Sequence, residues 1–334
     1  MTVCELDIRI LAGLYEYRAL TTEQIERMFG MSRWYTYRKL RILREGRLIM
    51  SEPVRGYAKK NQGKYHRISE TGISCLKKQG MFVERQAHHL KVDDRMLPYL
   101  LTTNDLIVDL GKYGWGLTDS RDTKKRFSLN RSDNIQGLLE HGEENVEYGV
   151  YVFLRRTSEK NLQKTIRELR DYEDIGDYLL FTRGMESFLA IVEGLLSQEM
   201  VVAKRNSIKI LPHSFGRLYL RHFWNEKQVF AYAEQKFGIR MIRRLEPDEA
   251  MWEGMNTIVL HEGEEKYFVN LMDTDLKKIF AIKQYRKEKY EQDGRKVLVL
   301  SQIEQHRDWL SDIHHIDYVD VIPTELSEYL EELG

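Results

Sequence analysis

Residues 21–68 read TTEQIERMFGMSRWYTYRKLRILREGRLIMSEPVRGYAKKNQGKYHRI, and this stretch decides the fold of the first part of the chain. Its first four residues have the form of a capping box, in which Thr21 and Gln24 satisfy free N–H groups at the start of a helix. Gly30 can end this helix in a left-handed conformation. The apolar residues between these two signals have helical spacing and are Ile25, Met28 and Phe29. We therefore expect a short helix followed by a tight turn.

A second, basic helix is predicted from Ser32 to Arg47. Ser32 is a favoured N-cap residue, and inward-facing side chains follow at spacings of four and three, namely Thr36, Leu40 and Leu43. The opposite face carries basic and aromatic side chains, which are Arg33, Trp34, Tyr37, Arg38, Arg41 and Arg44. Two short helices joined by a tight turn, with the second basic on its free face, are typical of a helix-turn-helix. In that motif the second helix enters the major groove of DNA.

A hairpin is predicted after the second helix. Its strands are residues 48–52 and 64–68, and residues 53–63 form the connecting loop. The loop and the start of the second strand carry four cations, namely Arg55, Lys59, Lys60 and Lys64. Cations that contact DNA phosphates release counterions and give affinity that does not depend on sequence. We interpret the hairpin as the wing of a winged helix-turn-helix.

Positive charge is concentrated in this stretch, although the chain as a whole is neutral. Residues 32–67 hold eleven Lys and Arg against two Glu. Residues 1–86 hold 17 basic and 9 acidic side chains, which leaves residues 87–334 with 35 basic and 43 acidic ones. The favourable potential for a polyanion therefore lies at one end of the chain, and double-stranded DNA is the predicted partner.

Length and composition indicate a globular protein of two or three domains, with 334 residues of which 42% are apolar. The two cysteines, Cys4 and Cys75, have no metal-ligand spacing and indicate a reducing compartment. No run of 18 apolar residues is present, and the first residues are acidic rather than basic. We therefore expect a cytoplasmic protein with no membrane contact.

Three domains are predicted, and the fold class is mixed α+β or α/β. Residues 1–86 form the winged helix-turn-helix domain, whose core is closed by a first helix with one apolar stripe. Residues 87–212 and 213–334 form two similar units, each with a β-hairpin, a helix, a strand, a helix and a strand. The second unit is expected to open with helical residues rich in aromatics and a basic patch, and to contain one long helix over 275–292. Its order of elements repeats that of the first unit about 118 residues later, which favours an internal duplication.

The head of the chain resembles the replication-relaxation family of plasmids and mobile elements. The resemblance rests on residues 10–25, ILAGLYEYRALTTEQI, and residues 38–49, RKLRILREGRLI. It is good over about residues 6–80 and looser up to about residue 185. It implies a winged helix followed by a nuclease-like α/β domain, with a role in plasmid replication and DNA relaxation.

A nuclease of this kind would need two carboxylates that bind Mg²⁺ and a lysine that orients the attacking water. Candidates are Asp133 before the first strand of the middle unit, Glu147 on the second strand, and Lys160 on the following helix. The second strand has Gly149 and then apolar residues where the acid-x-Lys pair would require a lysine. We therefore expect both units to be degenerate scaffolds without nuclease activity, and we expect no bound metal and no cofactor.

The sequence thus predicts a sequence-specific double-stranded DNA-binding protein of a plasmid or mobile element. It would act in replication initiation or in assembly of a relaxation or transfer complex, with replication or relaxation proteins as partners. A homodimer that reads two half-sites is an open alternative. Two other functions also stay open, namely a winged-helix transcriptional regulator and a metal-dependent nuclease.

Overall fold

The computed structural model of the chain describes residues 3–54, 63–143, 145–154, 158–172, 174–197, 207–246 and 254–332. The chain divides into two units, Met1–Asp119 and Ser120–Gly334. Its secondary structure is mixed α+β, with helices and three sheets. The first unit thus includes residues 87–119, and the predicted domain limits at residues 86 and 212 stay a prediction.

The first unit begins with three helices around a short strand. These elements are α1 (Glu5–Glu16), β1 (Leu20–Thr21), α2 (Thr22–Phe29) and α3 (Arg33–Glu45). A hairpin of β2 (Ile49–Pro53) and β3 (Lys64–Ile68) follows, and β3 lies between β1 and β2 in an antiparallel sheet. The order of two helices, a turn and a hairpin is therefore the predicted one. The predicted strand limits differ by one residue at β2 and agree at β3.

Two α-helices and a strand follow in the first unit, and they are α4 (Glu70–Lys78), α5 (Leu97–Leu110) and β4 (Trp115–Asp119). The core of the unit is built from the inner faces of α1, α3 and the hairpin, and it contains Leu14, Leu43 and Ile68, each with no exposed surface. Thr36 and Leu40 are buried as well, so the predicted inner face of α3 is confirmed.

The second unit begins with α6 (Ser120–Arg126) and a hairpin of β5 (Gly137–His141) and β6 (Val146–Phe153). Two crossovers follow: α7 (Glu159–Asp171) leads to β7 (Asp177–Thr182), and α8 (Met185–Ser197) leads to β8 (Ile208–Pro212). β5 is antiparallel to β6, whereas β6, β7 and β8 are parallel to one another.

Two helices, α9 (His213–His222) and α10 (Glu226–Phe237), precede the second sheet of this unit. The sheet is formed by β9 (Arg240–Arg244), β10 (Thr257–His261), β11 (Glu264–Asn270), β12 (Lys296–Ser301) and β13 (Ile316–Asp320). β10 is antiparallel to β11, and β11, β12 and β13 are parallel. The strand order and directions of β10–β13 therefore repeat those of β5–β8.

One hydrophobic core is shared by both sheets of the second unit. It contains Tyr151 and Tyr178 from the first sheet, Val299 from the second, and Tyr285 from the helical segment between β11 and β12, all of which are almost fully buried. The two halves of residues 120–334 therefore bury their apolar faces against each other and form one folding unit.

The single helix predicted over 275–292 is wrong, because the chain forms α11 (Leu276–Gln284) and α12 (Lys287–Asp293). The break is at Tyr285, which is fully buried. The carbonyl of Tyr285 is bonded to Nε2 of His315 at 2.6 Å, and its hydroxyl donates to Asp293 and to the carbonyl of Arg295. These contacts turn the chain out of the helix at this residue.

Several element limits also differ from the prediction. The predicted strand 266–272 lies at Glu264–Asn270, because Oδ1 of Asn270 accepts from the N–H of Met272 at 3.0 Å and turns the chain. The basic patch of Arg240, Arg243 and Arg244 lies on the edge strand β9. The remaining helices are α13 (Gln305–Trp309) and α14 (Pro323–Glu332), and the latter was not predicted. Among the described residues, no helix combines the length and apolar character needed to cross a membrane.

Candidate nucleic-acid interface

The start and end of α2 are fixed by the local signals of the sequence. The N–H of Gln24 donates to Oγ1 of Thr21 at 3.1 Å, and the N–H of Thr21 donates to Oε1 of Gln24 at 2.9 Å, so the capping box is present. Gly30 ends the helix with φ of 62°, a left-handed conformation that glycine adopts without steric cost. The turn to α3 therefore begins where the sequence predicts it.

Ser32 caps α3, since its Oγ accepts from the N–H of Tyr35. The buried face of the helix fixes its rotation, and the other face is open to solvent. Trp34 is 71% exposed and Tyr37 is 53% exposed. All six predicted recognition residues lie on this exposed face, namely Arg33, Trp34, Tyr37, Arg38, Arg41 and Arg44.

The exposed face of α3 forms one wall of an open groove of about 1320 Å³. The other walls come from the start of α2, with Glu23 and Glu26, and from the hairpin, with Ser51 and Lys64. The structure therefore brings Lys64 and the six residues of α3 to one surface. The other predicted wing residues, Arg55, Lys59 and Lys60, lie outside the described residues.

Two contacts order the cations of this surface. The guanidinium of Arg38 lies over the ring of Trp34, with its carbon 5.7 Å from the ring centroid. Nε of Arg41 lies 3.8 Å from Oε1 of Glu45, and both side chains are about two-thirds exposed. An exposed ion pair of this length contributes little to stability, so the guanidinium of Arg41 stays available for an anionic ligand.

Lys39 is the one lysine of α3, and it does not belong to the exposed face. Its Nζ lies 2.7 Å from Oδ1 of Asp7 and 3.1 Å from Sγ of Cys4, both at the start of α1. Burial raises the pKa of Asp7, but the bonds from Lys39 and from the N–H of Cys4 outweigh this effect and the pKa is lowered. Lys39 therefore holds α3 against α1.

His66 lines the groove and links the hairpin to α2, a role that the sequence alone did not indicate. Its Nε2 is 2.9 Å from Oγ1 of Thr22, and its Nδ1 is 2.8 Å from Oγ of Ser51. Burial lowers the pKa of His66 to about 4, and the nearby cations Lys64 and Arg44 lower it further. The imidazole is therefore neutral at pH 7 and joins the two walls of the groove.

The back of α2 is tied to α5 by polar contacts. Nε2 of Gln24 donates to the carbonyl of Leu101 at 2.6 Å and to Oδ1 of Asp105 at 2.9 Å. The guanidinium of Arg27 is bonded to Asp105, at 2.6 Å, and to Asp109. The two carboxylates balance the charge of Arg27. This cation of α2 therefore stabilises the fold and does not line the groove.

The three residues considered for nuclease chemistry are each engaged elsewhere or exposed. Oδ2 of Asp133 accepts from the hydroxyl of Tyr172 and from the N–H of Asn130. Glu147 on β6 is paired with Arg126 at 2.7 Å. Lys160 is exposed in the first turn of α7. No contact joins these three side chains among the described residues, and no cluster of three or more metal-ligand side chains is found there.

A buried ionic cluster in the second unit was also missed by the sequence analysis. Nζ of Lys209 on β8 lies 3.5 Å from Oδ2 of Asp273, and Oγ of Ser207 donates to Asp275 at 2.6 Å. The N–H of Ile210 donates to the carbonyl of Asp273 at 3.0 Å. Burial raises the pKa of Asp275. The cluster joins β8 to the segment after β11, and its depth makes it a structural link between the two halves.

The chain was compared with known protein families, curated proteins and solved structures. The model of the replication-relaxation family matches residues 11–181, slightly more than half of the chain. No curated protein and no solved structure matches the chain. The match begins in α1 and runs through the exposed face of α3 to β7. The chain belongs to the replication-relaxation family.

Proposed function

We propose that the first unit is a winged helix-turn-helix with α3 as its recognition helix, and that the protein binds double-stranded DNA in a sequence-specific manner. Family membership points to replication or relaxation of plasmid or mobile-element DNA as the process. The observation that carries the proposal is the exposed face of α3, where six basic and aromatic side chains line one groove. An α-helix with such a face fits the major groove of DNA.

Folding alone does not account for this face. A tryptophan that is 71% exposed contributes little to the core of its own domain. Lys39, by contrast, is a cation of α3 that stabilises the fold, because it is paired with Asp7 and mostly buried. The exposed cationic groups are suited to the phosphates of DNA, and the exposed aromatic groups are suited to the edges of its bases.

The position of each residue on the groove suggests which part of the DNA it contacts. The six exposed residues of α3 are assigned to base edges in the major groove, where an arginine can bond a guanine with two hydrogen bonds. Lys64, at the start of β3, is assigned to the phosphate backbone, together with Arg55, Lys59 and Lys60 of the wing. His66 is assigned a positioning role, since its two hydrogen bonds fix the hairpin against α2.

The second unit is interpreted as a pair of nuclease-like scaffolds that have lost the catalytic groups. Asp133, Glu147 and Lys160 do not come together, which supports a role in holding partners rather than in cutting DNA. Replication or relaxation proteins, or a second copy of the chain, are the partners that we propose for this unit. A dimer would place two recognition helices on two half-sites about one helical turn apart.

Footprinting of the purified protein on its native replicon, with and without Mg²⁺, tests the proposal. We expect protection of a discrete site near the origin without cleavage. Protection confined to promoters would favour a transcriptional regulator, and Mg²⁺-dependent cuts that are lost in Asp133→Ala would favour a nuclease.

A comparison of variants tests the assigned roles. Arg38→Ala should reduce the preference for the specific site over random DNA by about five-fold or more, because a bidentate arginine–guanine contact contributes about 1–3 kcal/mol of discrimination. Lys64→Ala should weaken binding to both DNAs equally and lower the salt slope by about one. Lys77→Ala, which removes an exposed cation of α4 outside the groove, is the control and should change neither quantity.

A further inference from the structure

Trp34 and Arg38 contact each other on the exposed face of α3, and the inference drawn from this contact rests on the proposed function. The two residues are one helical turn apart on the exposed face of α3. The guanidinium carbon of Arg38 is 5.7 Å from the centroid of the Trp34 ring, which is the range of a cation–π contact. Since each group limits the movement of the other, their two targets on DNA must be neighbours.

The chemistry of the pair identifies these targets. The guanidinium of an arginine in the major groove is matched by O6 and N7 of guanine. The indole of Trp34 presents a large apolar surface that is 71% exposed. The major groove of unmodified DNA offers one apolar group, the C5-methyl group of thymine. An apolar side chain held beside an arginine therefore fits a methyl group held beside a guanine.

We propose that Trp34 and Arg38 together read a thymine next to a guanine, with the indole against the thymine methyl group and the guanidinium on the guanine. The cation–π contact orders the guanidinium before DNA binds, so less side-chain freedom is lost when the guanine is bound. Trp34 is thus a specificity-determining residue, and its preference depends on a single methyl group.

The preferred site is first selected from a randomised duplex, and it should contain a thymine–guanine step. Each thymine of that site is then replaced in turn by deoxyuridine, which removes the methyl group and leaves the base pairing unchanged. At one position next to a guanine, we expect the replacement to weaken binding by about four-fold. This is the loss of affinity expected when one methyl-sized apolar group is no longer buried.

Variants assign this effect to its residue. In Trp34→Ala the four-fold difference between thymine and deoxyuridine should vanish, while the preference for guanine remains. In Arg38→Ala the preference for guanine should be lost. Tyr35→Ala, which truncates another exposed aromatic residue of α3 that does not line the groove, is the matched control and should retain the difference. Trp34 is largely exposed, so its truncation should leave the melting temperature unchanged.

Two results would overturn the inference and leave the proposed function intact. One is a selected site in which no thymine next to a guanine is sensitive to deoxyuridine. The other is a Trp34→Ala protein that still discriminates against deoxyuridine by four-fold. If no sequence is enriched from the randomised duplex, the proposed sequence-specific binding is itself refuted, together with this inference.

Discussion

Nζ of Lys39 lies 2.7 Å from Oδ1 of Asp7, although its neighbour Arg38 faces the groove. Two adjacent cations of one helix therefore serve different purposes. The side chain of Lys39 is 12% exposed and that of Asp7 is 3% exposed, so the pair is largely withdrawn from water. Because the carboxylate also accepts from the N–H of Cys4, the pair caps α1 and holds α3 with one set of bonds.

Asp7→Ala should destabilise the first unit by about 3 kcal/mol, because it leaves the ammonium of Lys39 buried without its partner. The loss should be smaller in the double variant Asp7→Ala with Lys39→Met, which removes both charges. Chemical unfolding at pH 7 measures both changes. The salt slope of DNA binding should stay at the wild-type value in Lys39→Met, and a slope lowered by one would show that Lys39 contacts phosphate.

The second prediction concerns the contacts of Arg27 with Asp105 and Asp109. Arg27→Met should destabilise the first unit by about 3 kcal/mol at pH 7, because two mostly buried carboxylates lose their shared cation. Thermal unfolding of the full chain at pH 7 measures this cost. It should be smaller in a variant that also carries Asp105→Asn and Asp109→Asn, because the two carboxylate charges are then absent. An equal cost in both backgrounds would show that packing, not charge, explains the effect.

The local signals of the sequence were enough to predict the exposed face of α3. The capping box of Thr21 and Gln24, the left-handed Gly30 and the spacing of Thr36, Leu40 and Leu43 each depend on residues within one turn. These signals fix where α2 and α3 begin and which face of α3 is free. The predicted exposed residues of α3 follow directly from them.

Contacts between distant residues could not be predicted in this way. Lys39 and Arg38 look alike in the sequence, and the partner that separates them is 32 residues away from Lys39. The anchor of α2 on α5 joins residues about 80 positions apart, namely Gln24 with Leu101 and Arg27 with Asp105. The break of the predicted helix at Tyr285 likewise depends on His315, which follows 30 residues later. Periodicity carries no information on such pairs.

The third prediction is a loss of stability in acid that comes from His66. Its pKa is about 4 in the folded chain against 6.5 for the free side chain, so the unfolded chain binds more protons between these values. Stability from this residue is therefore fully present above pH 6.5 and falls as the pH drops to 4. The full shift corresponds to about 3 kcal/mol.

Unfolding experiments across this pH range can isolate the histidine. In His66→Gln, the amide can still bond to Thr22 or Ser51 but does not titrate, so the stability of the first unit should vary less between pH 6.5 and 4. His306 of the second unit has a pKa lowered to about 3 by burial, so the second unit should also lose stability in acid. A wild-type dependence in His66→Gln would contradict the assignment.

The last prediction concerns Gly72, in the first turn of α4. A Cβ atom at this position would lie 2.3 Å from the carbonyl oxygen of Leu48 and 2.7 Å from Cγ1 of Ile68. Helix propensity alone favours alanine over glycine by about 1 kcal/mol. The clash opposes this gain, and because the first contact is with backbone it cannot be relieved by a change of rotamer. Overpacking of this kind costs about 1–3 kcal/mol or more.

Gly72→Ala should therefore destabilise the first unit, in spite of its position in a helix. It should also weaken DNA binding, because α4 would be pushed away from Leu48, the residue that connects α3 to the hairpin. Gly142→Ala, in the turn between β5 and β6, places its Cβ in open space and is the control, with a melting temperature close to that of the wild type. If Gly72→Ala proved as stable as the wild type, residue 72 of α4 would have to lie farther from the carbonyl oxygen of Leu48 than the structure places it.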